Sequence, residues 1–266
     1  MQLEKFRLDG KVAVVTGASG LLGREFCGGL IEAGAKVAVV DIDPVASELL
    51  ASELGVRAKN FLCDVSSKES VATCVDEIIK HFGRIDILHN NAATKTSDLK
   101  SFFEPFETYS LDTWREIMSV NIDGMFLMSQ AVGKFMVAAG SGSIVQTASI
   151  YGLVGPDNRI YEGSDYLGGP INTPAAYSAS KAAVIGLTRW LATYWADQGI
   201  RVNCLVPGGV STGQNKVFAD LYSSRTPMGR MSAAHEIVPA LLYLVSDASS
   251  YVTGQVMSVD GGWTTW

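Results

Sequence analysis

The sequence predicts a single-domain α/β fold, a doubly wound parallel sheet of about seven strands with helices on both faces. Short, continuous, β-branched apolar runs recur from one end of the chain to the other. Longer helical patterns separate them, and such alternation implies crossover units and strands buried on both faces. No linker, repeat or low-complexity tract interrupts the rhythm, so residues 1–266 read as one domain.

KVAVVT, from Lys11 to Thr16, is the first strand candidate, and AKVAVVD, from Ala35 to Asp41, the second. Between them Leu21 to Ala33 has a helical pattern that ends at Gly34, a residue suited to a left-handed cap. Further strands are expected over Ala58–Cys63, Ile85–His89, Ser143–Thr147, Arg201–Val206 and Gln255–Val259. A helix is expected from Ser66, where Ser66 and Glu69 have capping-box spacing. Others are expected over about Asp112–Val137, Ala175–Asp197 and Ala233–Ser246. Two stretches break the pattern. Residues 152–174 are rich in Gly, Pro, Asp, Asn and Tyr, and a long irregular segment inside a compact domain tends to be functional. Residues 207–231 are expected to form a lid with a short helix near Lys216 to Ser223.

Bulk properties exclude several classes. A net charge of −6 and no Lys/Arg cluster argue against nucleic acid as a partner. No apolar run approaches the roughly 20 residues that span a bilayer, and the N-terminal stretch has no signal-peptide core. Cys27, Cys63, Cys74 and Cys204 are scattered without CxxC or Cys/His spacing, so reduced thiols in the cytoplasm are expected, with neither a disulfide framework nor a metal site. His81, His89 and His235 likewise lack metal spacing and are expected to be structural.

Two motifs carry chemistry. TGASGLLG, from Thr16 to Gly23, joins a strand to a helix, and its glycines let the backbone approach a pyrophosphate resting on the helix N-terminus. Asp41 closes the next strand about 20 residues on, where a carboxylate can accept from both adenine-ribose hydroxyls and repel a 2′-phosphate. That favours NAD over NADP. YSASK places Tyr177 and Lys181 at i and i+4 on one helix face. A lysine cation there, with a positive nicotinamide ring, can bring a phenol of ordinary pKa near 10 into working range.

Around these motifs the chain resembles the short-chain dehydrogenase/reductase family, in its single-domain Rossmann branch, over nearly its whole length. NNAA (Asn90 to Ala93) is similar to the family's NNAG segment, and Asp64 to its adenine-contacting acid. Asn121 is similar to its helix asparagine, Ser149 in SIYG to its substrate-holding serine, Pro207-Gly208-Gly209 to the turn beside the nicotinamide, and Asp260-Gly261-Gly262 to its C-terminal signature. The resemblance implies catalysis by Asn121, Ser149, Tyr177 and Lys181. It implies cofactor contacts from Gly17, Ser19, Gly20, Leu22, Asp41, Asp64, Val65, Asn91, Ala92, Tyr177, Lys181, Pro207, Gly208 and Val210. The implied reaction interconverts a secondary alcohol and a ketone, in a homotetramer or a dimer. Trp190 and Trp195 are expected in the core or a subunit interface, and Trp263 and Trp266 in the assembly.

The chain departs from the family pattern twice. The middle glycine of the first motif is Gly20, one residue earlier than usual, and the gap between Ser149 and Tyr177 is longer than usual. The extra residues, 152–174, offer Asp157, Asn158, Arg159, Tyr161, Glu162, Asp165 and Tyr166, a set suited to hydroxyl-rich ligands. Ser149, Tyr151, Arg159, Glu162 and Tyr177 are the expected substrate contacts. SIYG…PD…IYEG is also similar to bacterial members associated with flagellin modification and nonulosonate-type sugar pathways, which favours a carbohydrate or polyol. The alternatives are a 3-oxoacyl thioester reductase or other small-ketone reductase, a small-polyol or steroid dehydrogenase, and a catalytically silent nucleotide-binding regulator.

Overall fold

The computed structural model describes residues 2–96, 98–166 and 169–266. Leu167 and Gly168, part of the expected substrate loop, lie outside the described residues.

In chain order the elements are β1 (Val12–Thr16), α1 (Leu21–Glu32), β2 (Lys36–Asp41), α2 (Pro44–Leu54), β3 (Ala58–Leu62) and α3 (Lys68–Phe82). Then come β4 (Ile87–Asn90), α4 (Leu99–Phe102), α5 (Leu111–Met118), α6 (Gly124–Ala139) and β5 (Gly142–Thr147). The second half holds β6 (Asp165–Tyr166), β7 (Gly169–Pro170), α7 (Ala175–Tyr194), β8 (Ile200–Pro207), α8 (Lys216–Arg225), α9 (Val238–Val245) and β9 (Val256–Val259). A 7-stranded sheet runs β3-β2-β1-β4-β5-β8-β9 with all pairings parallel, as the buried apolar runs predict. The order reverses between β1 and β4, which opens a crevice at the carboxyl ends of those strands.

Each face of the sheet buries its own core. Leu30 of α1, Leu50 of α2 and Leu241 of α9 pack with Val15, Val37 and Val39. Val75 of α3, Met128 of α6 and Leu191 of α7 pack with Val14, Ala38 and Ile144 on the other side. Successive strand residues therefore point into opposite helical layers, and both layers are apolar.

Local chemistry sets the helix ends. Asp43 caps α2, its Oδ1 accepting the Val45 and Ala46 amides at 3.0 Å, with Pro44 pre-set for the first turn. The cap of α3 is Ser67, which accepts the Ser70 amide at 3.2 Å, and the expected Ser66/Glu69 capping box does not form. Ser66 donates instead to Asp64 Oδ1 at 2.6 Å, because the turn after β3 draws its hydroxyl to that carboxylate. The single helix expected over Asp112–Val137 is broken by a π-turn at Ser119–Asp123 between α5 and α6. The helix expected over Ala233–Ser246 starts as a 3₁₀ turn, Ala234–Ile237, and is α-helical only from Val238.

Residues 152–174 are less irregular than their composition suggests. They hold a 3₁₀ turn at Asn158–Tyr161 and the antiparallel pair β6–β7. Ile160 anchors the segment in a cluster with Val184, Ile185, Tyr222 and Trp263. The expected lid contains α8, and Tyr161 stacks on its Phe218 with centroids 5.6 Å apart and planes 18° apart.

The tryptophans divide. Trp195 is buried against Gly133, while Trp190 is exposed and stacks on Tyr194 at 4.7 Å. Trp263 is buried in its own chain, stacked on Tyr222 at 4.2 Å, so its packing needs no second subunit. Trp266 is exposed and donates Nε1 to the Arg225 carbonyl at 3.1 Å. His89 is fully buried beside Phe26, its Nε2 is 2.8 Å from Thr147 Oγ1, and burial depresses its pKa to about 3. Among the described residues, no helix is long and apolar enough to cross a membrane, and no His/Cys/Asp/Glu group is placed to hold a metal.

Candidate active site

A cleft of about 830 Å³ lies at the carboxyl ends of the strands, at the point where the strand order reverses. Most of its lining comes from residues at or just past strand ends. Gly17, Ser19, Gly20 and Leu22 follow β1, Asp41 ends β2, and Asp64 and Val65 follow β3. Asn91 and Ala92 follow β4, Ser149 follows β5, and Pro207, Gly208 and Val210 stand at and beyond the end of β8. Tyr177 and Lys181 project from the first turns of α7.

The glycine turn is tightly built. Gly17 has φ +60°, and a side-chain carbon there would come within 2.8 Å of Ala92 Cα, so neither the backbone angle nor the space admits another residue. Thr16 Oγ1 accepts the Asn91 and Ala92 amides at 3.0 and 3.1 Å, which pins the turn to the segment after β4. Asn91 Nδ2 donates to the Thr16 and Gly17 carbonyls at 3.2 Å each. Gly20 is the N-cap of α1 and offers no side chain to the first amides, which leaves them for an anion at the positive end of the helix dipole. The early position of Gly20 requires no unusual backbone, since its φ is −69°.

Asp41 shapes the opposite rim. Its Oδ2 accepts the Ser19 amide at 2.8 Å and its Oδ1 the Asp43 amide at 3.1 Å. Ser19 Oγ is buried without a hydrogen-bond partner beside this rim. A dinucleotide fits these residues: a side-chain-free turn, uncapped helix amides for a pyrophosphate, and a strand-end carboxylate for ribose hydroxyls. Asp64 also lines the cleft, with Oδ1 held by the Ser66 amide at 2.9 Å.

At the inner end of the cleft Ser149, Tyr177 and Lys181 come together. Burial holds the Tyr177 phenol above its ordinary range, the Ser149 hydroxyl pulls the other way, and nearby Tyr161 adds to the rise. Desolvation is the largest influence on the phenol, and the only opposing one comes from Ser149 and not from Lys181. The Lys181 ammonium is 5.8 Å from the Tyr177 ring centroid and donates to the Thr147 carbonyl at 3.0 Å. Burial also draws Lys181 down to about 8, which puts its proton within reach of near-neutral chemistry.

Asn121 sits in the π-turn, fully buried. Its Oδ1 accepts the Thr94 amide at 2.9 Å and its Nδ2 donates to Ser180 Oγ at 3.2 Å, beside Lys181 in the chain but not on its ammonium. A π-turn offsets the ladder of helix hydrogen bonds by one residue and recurs at functional sites.

The substrate set splits. Tyr151 follows Ser149 on a 3₁₀ turn and turns its hydroxyl toward Tyr161, 3.4 Å away. Arg159 and Glu162 lie outside the cleft and are exposed. Arg159 closes on Asp157 instead, with Nε and Nη2 at 2.8 and 2.7 Å, since an ion pair two residues away is the nearer partner. Arg225 of α8 also reaches Asp157, at 3.2 Å, and lies over the Trp263 and Trp266 rings at 5.5 and 5.8 Å. Thr94 and Lys95 were not anticipated in the cleft, and Thr16 was placed in the first motif without a role of its own. Only Thr16, the last strand residue before Gly17, carried a positional signal.

A family model described as Enoyl-(Acyl carrier protein) reductase matches residues 17–264, from the glycine turn past the C-terminal signature. The chain belongs to the short-chain dehydrogenase/reductase family. As a member it is an NAD(P)-dependent oxidoreductase acting on CH–OH groups. This short-chain dehydrogenase/reductase is 37% identical over 271 residues to galactitol 2-dehydrogenase (L-tagatose-forming) of Cereibacter sphaeroides, covering 98% of each chain. It superposes with TM-score 0.88 on a gluconate 5-dehydrogenase from Burkholderia cenocepacia in complex with NADP and tartrate, at 33% identity and full coverage of both chains. A short-chain type dehydrogenase/reductase from Mycobacterium marinum superposes with TM-score 0.86 at 32% identity, over 99% of each chain.

Proposed function

We propose that the protein is an NAD-preferring dehydrogenase that interconverts a secondary alcohol and a ketone on a polyol or sugar-type carbon chain. The observation that carries this is the convergence of Ser149, Tyr177 and the buried Lys181 at the inner end of a dinucleotide-shaped cleft. NAD(P), when bound, accepts or supplies the hydride at its nicotinamide.

The chain's own residues handle the proton and the oxygen. Ser149 Oγ holds the substrate oxygen against the Tyr177 phenol oxygen, which takes the proton as phenolate during oxidation and returns it as phenol during reduction. The phenol sits above its ordinary range, so a positive charge nearby must lower it before it can accept a proton near neutrality. Lys181 supplies part of that charge, and the Thr147 carbonyl holds its ammonium in place. Asn121 fixes the Thr94 segment and Ser180 beneath the pair, and so continues the path by which the proton leaves.

Gly17, Ser19, Gly20 and Leu22 would hold the pyrophosphate. Asp64, Val65, Asn91 and Ala92 would line the adenine side, and Pro207, Gly208 and Val210 the nicotinamide side. NAD preference rests on Asp41-Ile42-Asp43, a rim stretch with two carboxylates and no cation. Residues 152–174 act as the substrate loop and 207–231 as the lid, an assignment supported by the Tyr161–Phe218 stack between them. The relatives act by name on galactitol and gluconate, both hydroxylated carbon chains. That supports the polyol reading and leaves only the chemical content of the flagellin-modification resemblance. The exposed Trp190–Tyr194 pair on α7 suits a homotetramer or dimer, and four buried thiols suit the reducing cytoplasm.

The test is a turnover assay of galactitol, gluconate and D-threitol with NAD and NADP, alongside a 3-oxoacyl thioester with the reduced cofactors. Polyol oxidation faster with NAD is the expected outcome. Turnover of the thioester alone would overturn the substrate reading, and no turnover of any of them would favour a silent nucleotide-binding protein.

A further inference from the structure

We propose that Tyr161 reads the hydroxyl on the carbon next to the reacting one, so that the site selects vicinal diols and α-hydroxyketones over simple secondary alcohols. The inference rests on the secondary-alcohol chemistry proposed above and names the group beside the reacting centre that the site requires.

Three hydroxyls meet between the turn that Ser149 caps and the start of α7. Tyr161 OH and Thr173 Oγ1 are 2.5 Å apart, and Tyr161 OH lies 3.4 Å from Tyr151 OH. Tyr151 belongs to the turn that begins at Ser149, and Thr173 lies just before α7, which carries Tyr177. Tyr161 sits between these ends of the insertion, close enough to the Tyr177 phenol to raise it. The cluster is thus tied at one end to the residue that holds the substrate oxygen and at the other to the proton carrier.

The ring of Tyr161 is held from two sides. Its neighbour Ile160 is buried at 3% exposure, and its own face stacks on Phe218 of α8. Such clamping fixes the hydroxyl in space at little further entropy cost on binding. Each member of the cluster is a hydroxyl that can donate and accept by rotation, the complement of a second alcohol group. Of the charged residues of the same segment, Asp157 and Arg159 are closed on one another and Glu162 and Asp165 are exposed, so the cluster is suited to a neutral diol rather than to a carboxylate or an extended acyl chain. A site built to hydrogen-bond a substrate hydroxyl discriminates strongly against the analogue that lacks it, because its own polar groups are then left unpaired.

The experiment compares 2,3-butanediol with 2-butanol, which share a carbon skeleton and differ in the neighbouring hydroxyl, in wild-type protein and in Tyr161→Phe. The substitution keeps the stack on Phe218 and deletes the hydroxyl. Wild-type kcat/KM is expected to be at least about tenfold higher for the diol, and the variant is expected to lose at least about tenfold of that ratio with its NAD dissociation constant unchanged. Thr173→Val, which removes the partner hydroxyl without touching the ring, should move the ratio in the same direction. An unchanged ratio in both variants overturns the inference, as does an equal loss on both alcohols, which would mark Tyr161 as structural. Wild-type protein that oxidises both alcohols equally well also overturns it and leaves the secondary-alcohol chemistry standing. Failure on every alcohol would strike that chemistry and the inference together.

Discussion

Asp41 and Ser19 are joined across the rim of the cleft: the strand-end carboxylate accepts the Ser19 amide at 2.8 Å and the Asp43 amide at 3.1 Å. The group that would choose between cofactors also holds the glycine turn in shape. NAD is expected to bind at least about tenfold tighter than NADP, on the order of 1.4 kcal/mol. Asp41→Asn keeps an oxygen for one amide and removes the charge, so it should narrow that gap with a small loss of NAD affinity. Asp41→Ala should narrow it and weaken both cofactors. Fluorescence titration of the three proteins decides, and equal wild-type affinities would refute the role given to Asp41.

Tyr177→Phe should lower turnover by roughly 10²-fold or more while cofactor affinity holds, since the ring keeps its packing and loses only the proton carrier. Lys181→Met should lower both turnover and cofactor affinity. Near-normal turnover in the Phe variant would mean that another group carries the proton.

Lys181 also makes a prediction about stability. Its folded-state pKa is drawn from the ordinary 10.5 to about 8 by burial. Between those values the unfolded chain keeps a proton that the folded chain has lost, so stability rises with pH across that window. Below about 8 both states are protonated and the fold bears the full burden of a buried cation. The melting temperature of wild-type protein should therefore climb relative to Lys181→Met by a few degrees from about pH 8 to pH 10. A difference that stays flat with pH would show that Lys181 is not desolvated as described.

Arg159→Ala and Glu162→Ala should each leave kcat/KM within about twofold and stability within about 0.5 kcal/mol, because both side chains are exposed outside the cleft. Arg225→Ala should instead raise KM for substrate, since it cuts the tie from α8 to Asp157 of the loop and uncovers two indole faces at once. A tenfold loss of kcat/KM in either exposed variant would place the loop differently from the arrangement seen here.

The middle of the sheet was legible because strands such as β1, β4 and β8 are buried on both faces, and continuous runs such as KVAVVT have few other uses. The motif residues were legible because each follows a strand end or opens a helix, positions that the alternation itself locates. Arg159 and Glu162 were misplaced because composition says which groups a loop owns and not which way they turn; Asp157, two residues from Arg159, captured the guanidinium first. The raised Tyr177 phenol escaped for a related reason. The i, i+4 spacing shows that a cation is near, whereas the depth of the pocket that opposes it is set by packing between distant elements. Likewise Ser67 prevailed over Ser66 as a cap because Asp64 competed for the Ser66 hydroxyl.

The π-turn at Ser119–Asp123 means that the rod from Leu111 to Ala139 carries one residue more than a regular helix of its length would need. Deleting one residue of the turn would restore an ordinary helical ladder, at the cost of turning the buried Ile117 of α5 out of its cluster with Phe102 and Ala176. The deletion would rotate whatever precedes it by about 100° against whatever follows. With α6 held by the sheet, the carboxamide of Asn121 would swing off both Thr94 and Ser180. The fold tolerates a local irregularity that a shorter sequence could abolish, and what the irregularity secures is aim: one amide, pointed two ways, at the foot of the reacting pair.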